Sequence, residues 1–309
     1  MSAALAPALH GLTILERGWL SSNNVLLHGD DSRAWLVDSS HVLHGAQTVA
    51  LLRQALRGAT LAGIVNTHLH SDHCGGNAAV QRAFGCTVTV PPGQWAAVQD
   101  WDEQALSYRP TGQRCERFVA DACLRPGQSL EVGGRRWQAL AAPGHDPHSI
   151  VLFDDREGVL ISADALWENG FGVVFPELEG EGAFDDVAQV LDLIESLDAR
   201  WVIPGHGAPF SDAPGALQRA RRRLDGFCTN PRRHSRHAIK VLVKYHLLEV
   251  QQQPWVDFLA WFTEVDLCRV IWHSLGRPDG TMPAFAERLV GELMAIGVLS
   301  RRDALLINA

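Results

Sequence analysis

The stretch Thr67-His68-Leu69-His70-Ser71-Asp72-His73 closes a short apolar run, Leu61 to Val65, and gathers three imidazoles and a carboxylate into six residues. A run of that length, bounded by Gly58 and Gly63 upstream and by the polar Asn66-Thr67, predicts a buried strand. His68 and His70 share parity, so both can face one point as the strand frays. Asp72 and His73 lie beyond a turn, just before Cys74-Gly75-Gly76-Asn77-Ala78-Ala79-Val80, which reads as a helix start. Their side chains can fan towards a second point close to the first. Imidazole and carboxylate are the ligands that zinc and other borderline divalent ions prefer. A chance run of surface histidines would need three of only 14 in the chain to fall at these offsets beside an aspartate, so metal binding is the reading adopted.

The motif His-x-His-x-Asp-His resembles the signature of the metallo-β-lactamase-fold hydrolases, and further matches follow in order between about residues 10 and 215. Pro143-Gly144-His145, after the apolar Trp137 to Ala141, resembles the third histidine of that family. Ser162-Ala163-Asp164, after Val159-Leu160-Ile161, resembles its bridging aspartate, and Pro204-Gly205-His206-Gly207, after Trp201-Val202-Ile203, its last histidine. Val37-Asp38-Ser39 adds a short upstream match. The resemblance implies an α/β (α+β) fold, the αββα sandwich, with His68, His70 and His145 on one metal, Asp72, His73 and His206 on a second, and Asp164 bridging. The cofactors implied are two divalent ions, zinc first, with iron or manganese as alternatives. They would share a hydroxide whose pKa falls from about 15.7 towards about 7. Asp72 would aim it and shuttle its proton to the leaving group, with Asp38 and Ser162 as orienting groups. No cysteine replaces Asp164, as in one class of β-lactamases, and no acid replaces His70, as in the diiron flavoproteins. The seven-ligand set resembles the glyoxalase II-like thioesterases, the lactonases and the RNA-processing nucleases. Asp146-Pro147-His148 departs from the small residues many members carry there.

A chain of 309 residues fits one large domain with an appendage, or two domains. Apolar content of 46% with 20% charge is that of a globular enzyme rather than a disordered chain. The net charge of −8 disfavours nucleic acid as a partner for the whole surface. The six cysteines form no C-x-x-C pair, which suits a reduced cytoplasm. Met1 to His10 lacks a basic leader and is broken by Pro7, so neither signal peptide nor anchor is expected. No apolar run approaches the roughly 18–20 residues of a membrane span.

Residues 11 to 38 suit a meander of short strands, followed by a helix over Gly45 to Leu56. Tyr108 to Arg117 reads as a polar, irregular insert that either borders the cleft or is a plain surface loop. Ala165 to Glu177 starts directly from Asp164, so Trp167, Phe171 and Phe175 are candidates to line a substrate pocket, against the alternative that they only pack the loop. Arg219 to Lys244 holds seven Arg and two Lys against one acid, Asp225. That segment is either a solvated face or a site for an anionic substrate or nucleic-acid backbone. From about Ala238 the pattern is helical, ending in a short strand, Arg302 to Ile307. Helices followed by a wing resemble the winged-helix appendage of some superfamily members. The expected division is residues 1–215 as catalytic domain and 216–309 as a helical, winged-helix-like region.

The leading function is binuclear metal-dependent hydrolysis of an ester, thioester or lactone, with a small-molecule substrate and no membrane partner. Nucleic acid is the second choice, through a metal-dependent ribonuclease that uses the 219–244 segment. A mononuclear-iron persulfide-type oxygenase would need only part of the ligand set. A binding module with a structural metal is the bland alternative, disfavoured because structural zinc fills its coordination with protein ligands.

Overall fold

The computed structural model describes residues 6–309, so Met1 to Leu5, part of the leader reading, lie outside the described residues. The first sheet takes β1 (Leu12–Leu15), β2 (Asn24–His28), β3 (Arg33–Val37), β4 (Thr60–Val65), β5 (Thr87–Val90) and β6 (Ala122–Cys123) side by side in chain order. Its first three strands run antiparallel and its last four, from β3 to β6, parallel. The second sheet holds β7 (Ser129–Val132), β8 (Arg135–Ala141), β9 (Ile150–Asp154), β10 (Val159–Ala163) and β11 (Trp201–Pro204), again in chain order, with only β10 and β11 parallel.

Period-2 alternation builds the layers. Val25, Leu27, Val37 and Val65 of the first sheet meet Trp137, Ala139, Ile150, Leu152, Val159, Ile161 and Ile203 of the second in one buried core. The intervening residues point outward. Leu26, Leu36 and Ile64 pack under α1 (Gly45–Leu56) and, beyond the short α2 (Ser71–Cys74), under α3 (Asn77–Phe84). Completing the first half are α4 (Trp95–Asp100) and α5 (Tyr108–Thr111). Outward-facing Val151, Phe153, Leu160 and Val202 pack under two later helices. These follow the short α6 (Phe175–Glu179) and are α7 (Phe184–Ser196) and α8 (Ala213–Thr229). In α7 the buried Val187, Val190, Leu191 and Ile194 fall at one helical face, and Asp185 and Asp186 sit in its first turn where the helix dipole favours them. Each such aliphatic side chain contributes about 1.5–3 kcal/mol by leaving water. The result is the expected αββα sandwich.

The remainder is a separate core of α9 (Pro231–Val250), β12 (Gln252–Pro254), α10 (Trp255–Glu264), α11 (Asp266–Ser274), α12 (Met282–Ala295), β13 (Leu299–Arg302) and β14 (Leu305–Asn308). Its three strands pair in the order β12-β14-β13. Val173 and Leu178, from the loop after Asp164, are buried in this second core, so the appendage is docked against the catalytic face.

Several details differ from the sequence expectations. The 215/216 division falls inside α8, whose buried Ala216, Leu217, Ala220, Leu224 and Phe227 belong to the sandwich; core membership changes only around Asn230 and Pro231. The single strand read over 302–307 is a hairpin, because Asp303 takes positive φ (53°) and reverses the chain. The helical part begins at Pro231, ahead of Ala238. Tyr108 to Arg117 is no plain polar loop. Tyr108 is fully buried and donates to Leu69 O (2.9 Å) directly behind the histidine motif.

The basic segment is largely spent on internal contacts. Arg221 pairs with Asp192 and Glu195, Arg236 and Lys240 with Glu292, and Arg219 with Asp212. Lys244 donates to Val298 O and Ala309 O, and Arg232 to Leu275 O. No helix among the described residues is long and apolar enough to cross a membrane. All six cysteines are free thiols, with Cys74 Sγ 3.8 Å from Cys115 Sγ.

Candidate metal centre

Loops at one edge of the sandwich carry the seven candidate ligands, and all seven side chains are buried. His68, His70 and His145 form one group, and Asp72, His73, Asp164 and His206 a second; within each, the ligand atoms lie within 4.8 Å of one another. Asp164 faces both. Its Oδ2 is 3.4 Å from His145 Nε2, while Oδ1 is 3.4 Å from His73 Nε2 and 3.9 Å from His206 Nε2. Asp72 Oδ2 lies 3.0 Å from His206 Nε2 and 3.8 Å from His73 Nε2.

The hydrogen bonds behind the imidazoles assign their tautomers. Thr67 donates its backbone N–H to Asp38 Oδ1 (2.9 Å) and its hydroxyl to Asp38 Oδ2 (2.8 Å). That hydroxyl, its proton committed, accepts from His68 Nδ1 (3.1 Å). His73 Nδ1 donates to Asp38 Oδ2 (2.7 Å), and His145 Nδ1 donates to Val173 O (2.6 Å). His68 and His145 therefore turn a bare Nε2 inward, while His73 turns its Nε2 towards the carboxylates of Asp72 and Asp164. The Nε2 atoms of His68 and His73 are buried without any hydrogen-bond partner, and His145 Nε2 converges on His70 Nδ1 at 2.8 Å. A buried lone pair left unmatched is costly unless something positive accepts it, and a cation fits that need at His68; in the second group the two convergent carboxylates, Asp72 and Asp164, favour one.

Electrostatics separates the groups. Burial, with the neighbouring rings, pulls His68 well below the usual histidine range, and burial and His145 bring His70 down to about 4. Burial also opposes charge in the second group, but there it loses. Asp38, Asp164 and Asp72 hold His73 well above its ordinary value, while His73 and His206 draw Asp72 down to about 2 and keep Asp164 ionised.

The backbone is shaped for this convergence. A Cβ on Gly205 would stand 2.2 Å from Asp164 Oδ1, so only glycine lets the last loop approach the carboxylate. Ala163 adopts φ 45° at a break in the β10–β11 register, which turns Asp164 out of the sheet.

Of the three expected pocket residues, two stand at the centre. Trp167 donates Nε1–H to Asp164 Oδ1 (3.2 Å), and Phe175 lies 4.9 Å from the His70 ring and 5.5 Å from His145. Phe171 does not line a pocket. It is buried in the outer core against Phe227 and the Arg223 guanidinium, because the loop turns it towards α8. Ser162 does not orient an imidazole either; its hydroxyl donates to Leu166 O (2.6 Å). Asp38 does touch one, while His148 is exposed and donates its backbone N–H to Asp146 Oδ1. Three contributors went unread in sequence. Thr67 stood in the motif itself, but Trp19 and Tyr245 carried no local signal. Trp19 stacks on His206 (5.3 Å), and the Tyr245 hydroxyl reaches Ser71 Oγ (2.8 Å) from α9.

Residues 17–206 match the profile of the metallo-beta-lactamase superfamily. The chain belongs to that superfamily. Among curated superfamily relatives, a protein of Rhodopseudomonas palustris (strain BisB18) named hydroxyacylglutathione hydrolase is 32% identical over 48% of this chain and 50% of its own. One of the same name from Methylococcus capsulatus is 27% identical over 46% of each chain. The chain thus spans about half the length of the curated relatives it matches. Among solved structures, the metallo-beta-lactamase family protein TTHA1429 from Thermus thermophilus superposes with a TM-score of 0.57 at 22% identity, over 99% of this chain and 100% of that one. That likeness shows the fold, and it extends through the appendage. The BLEG-1 B3 metallo-beta-lactamase gives a TM-score of 0.53 at 24% identity, over 67% of this chain and 96% of that one.

Proposed function

We propose that the protein is a two-metal hydrolase of an ester, thioester or lactone. The observation that carries this reading is Asp164, whose two oxygens face the two buried ligand groups separately. His68, His70 and His145 would hold one divalent ion and Asp72, His73 and His206 the other, zinc being the first choice for this donor set. Bound there, two such ions supply Lewis acidity and a water acidic enough to attack at neutral pH. Asp72 accepts a hydrogen bond from the attacking water, orients it and passes its proton to the leaving group. Asp38, Thr67 and the Val173 carbonyl keep three imidazoles turned with Nε2 inward. The name of the curated relatives supports a thioester as the first substrate class to try.

The ribonuclease reading lacks support, since six of the nine basic residues it needs, Arg219, Arg221, Arg232, Arg236, Lys240 and Lys244, are engaged by acids or carbonyls. The mononuclear reading leaves the second ligand group without a role. The order of helices and hairpin after Pro231 supports a winged-helix-like appendage, which we place at residues 231–309. The test is metal analysis with turnover. Chelated protein is reloaded with zinc, manganese or iron and assayed on thioester, lactone, ester and single-stranded RNA substrates. Two equivalents of metal with carbonyl hydrolysis are expected; RNA cleavage, or one equivalent of iron with oxygen uptake, would overturn the reading.

A further inference from the structure

Around the metal centre, three aromatic rings stand beside the ligands, Trp167 and Phe175 from the stretch after Asp164 and Trp19 from the loop ahead of β2. Phe175 flanks His70 and His145 on one side. On the other, Trp19 stacks on His206 with ring planes 11° apart and meets Trp167 edge-on at 5.6 Å, while Trp167 meets His206 edge-on at 5.4 Å. Trp19 is 60% exposed, so packing alone recovers only part of the gain from removing an indole from water.

Its position is nevertheless built. Asn23, four residues on, donates its backbone N–H to Gly205 O (2.7 Å) and its side-chain amide to Pro204 O (2.9 Å) and Gly207 O (2.7 Å). Asn23 Oδ1 in turn accepts from Arg17 N–H (2.9 Å). The loop that carries Trp19 is thereby fastened to the loop that carries His206. An exposed indole held rigidly against a metal ligand is a ready surface for a flat apolar group.

The cations near this wall are committed elsewhere. Arg17 donates to Asn24, Ser40, Thr48 and Gln47, Arg219 to Glu168 O and Asp212, and Arg114 pairs with Glu249. A thiol carrying carboxylates, such as glutathione, would find Arg17 and Arg219 already engaged and only the terminal nitrogens of Arg114, which Glu249 holds through Nε, open to it.

We propose that Trp19 is a specificity-determining residue that, with Trp167, receives a flat apolar group of the substrate, so that the substrate class is an aryl-bearing carbonyl compound rather than a glutathione thioester. This rests on the hydrolase reading for its turnover assay but not for its binding assay. Zinc-loaded wild type, Trp19→Ala and Trp19→Phe are compared on acetyl and phenylacetyl thioesters of N-acetylcysteamine, on the acetyl thioester of thiophenol and on S-lactoylglutathione, with bound metal measured in each. The wild type should favour at least one aryl substrate over the acetyl reference and over the glutathione thioester. The preference in kcat/KM should fall about tenfold in Trp19→Ala, the order expected for losing one aromatic contact, and persist in Trp19→Phe. An unchanged preference overturns the proposal, as does a uniform fall on all substrates together with lost metal, which would make Trp19 a prop for His206 only. A wild type that favours the glutathione thioester also overturns it. If the wild type hydrolyses none of these, the thioester form of the hydrolase reading fails separately, and ligand-observed NMR with phenylacetone and butanone decides. Binding of the aryl ketone alone, weakened about tenfold by Trp19→Ala, upholds the inference; equal or absent binding ends it.

Discussion

The two ligand groups lie side by side yet answer differently to protons. His68, His70 and His145 are imidazoles alone, buried among each other, and the environment of His68 and His70 favours the neutral ring. Asp72, His73, Asp164 and His206 include two carboxylates, and with Asp38 behind His73 they keep a proton on that imidazole. A cation entering the first group meets free lone pairs. One entering the second must displace a proton, but gains two anions in return. Burial is similar in both, so the kind of neighbour, and not the degree of burial, sets the contrast.

The largest expected effect comes from breaking the neutral group. His70→Ala should abolish turnover and lower bound metal, since no carboxylate within that group compensates for a lost imidazole. Full metal occupancy with normal turnover would remove His70 from the site. In the anionic group Asp72→Asn should keep part of its metal through Asp164, yet lose turnover by about 10² to 10⁴, the range for lost acid–base assistance. More than a tenth of wild-type turnover would make the proton-shuttle role wrong.

Titration sharpens the contrast further. Because the metal-free pKa of His73 is raised, the ring stays protonated through neutral pH, and metal binding at the second group should weaken about tenfold for each unit the pH falls below that value. The first group, with His70 at about 4, should bind with little pH dependence between about 5 and 8. Calorimetric titration of the apo-protein at several pH values measures both. Asp38→Asn should flatten the steeper profile, since it removes a charge that holds the proton; an unaltered slope would contradict that account.

The smallest effect is expected from the basic start of α9. Replacing Arg232, Arg233 and Arg236 by Ala should leave KM unchanged within about twofold at any salt concentration, and should cost about 1 kcal/mol of stability for the exposed pairs lost. A rise in KM that shrinks with added salt would show that these arginines serve an anionic substrate instead.

Local pattern sufficed where the physics was local. Apolar runs placed β8, β10 and β11 to within about two residues, and the helix over Gly45–Leu56 was legible from its apolar spacing. The seven candidate ligands stood out because most of their motifs follow an apolar strand, and strand ends are where buried side chains give way to loops. Phe171 and Ser162 were misplaced for the opposite reason. Inside an irregular loop no period tells which side chain turns inward, and one turn of chain sent Phe171 to the outer core.

Sequence by itself determined the donor types and their order, through the chemistry of imidazole and carboxylate, and it implied the sandwich through the resemblance those motifs carry. Only the tertiary structure decided that Asp38 turns His73, that Trp19 lies on His206, that Tyr245 reaches Ser71 across 174 positions of chain, and that Arg221 of α8 and Arg236 of α9 face acids. These are contacts between segments with no shared period, and their energies depend on distances that exist only once the two sheets have closed on each other.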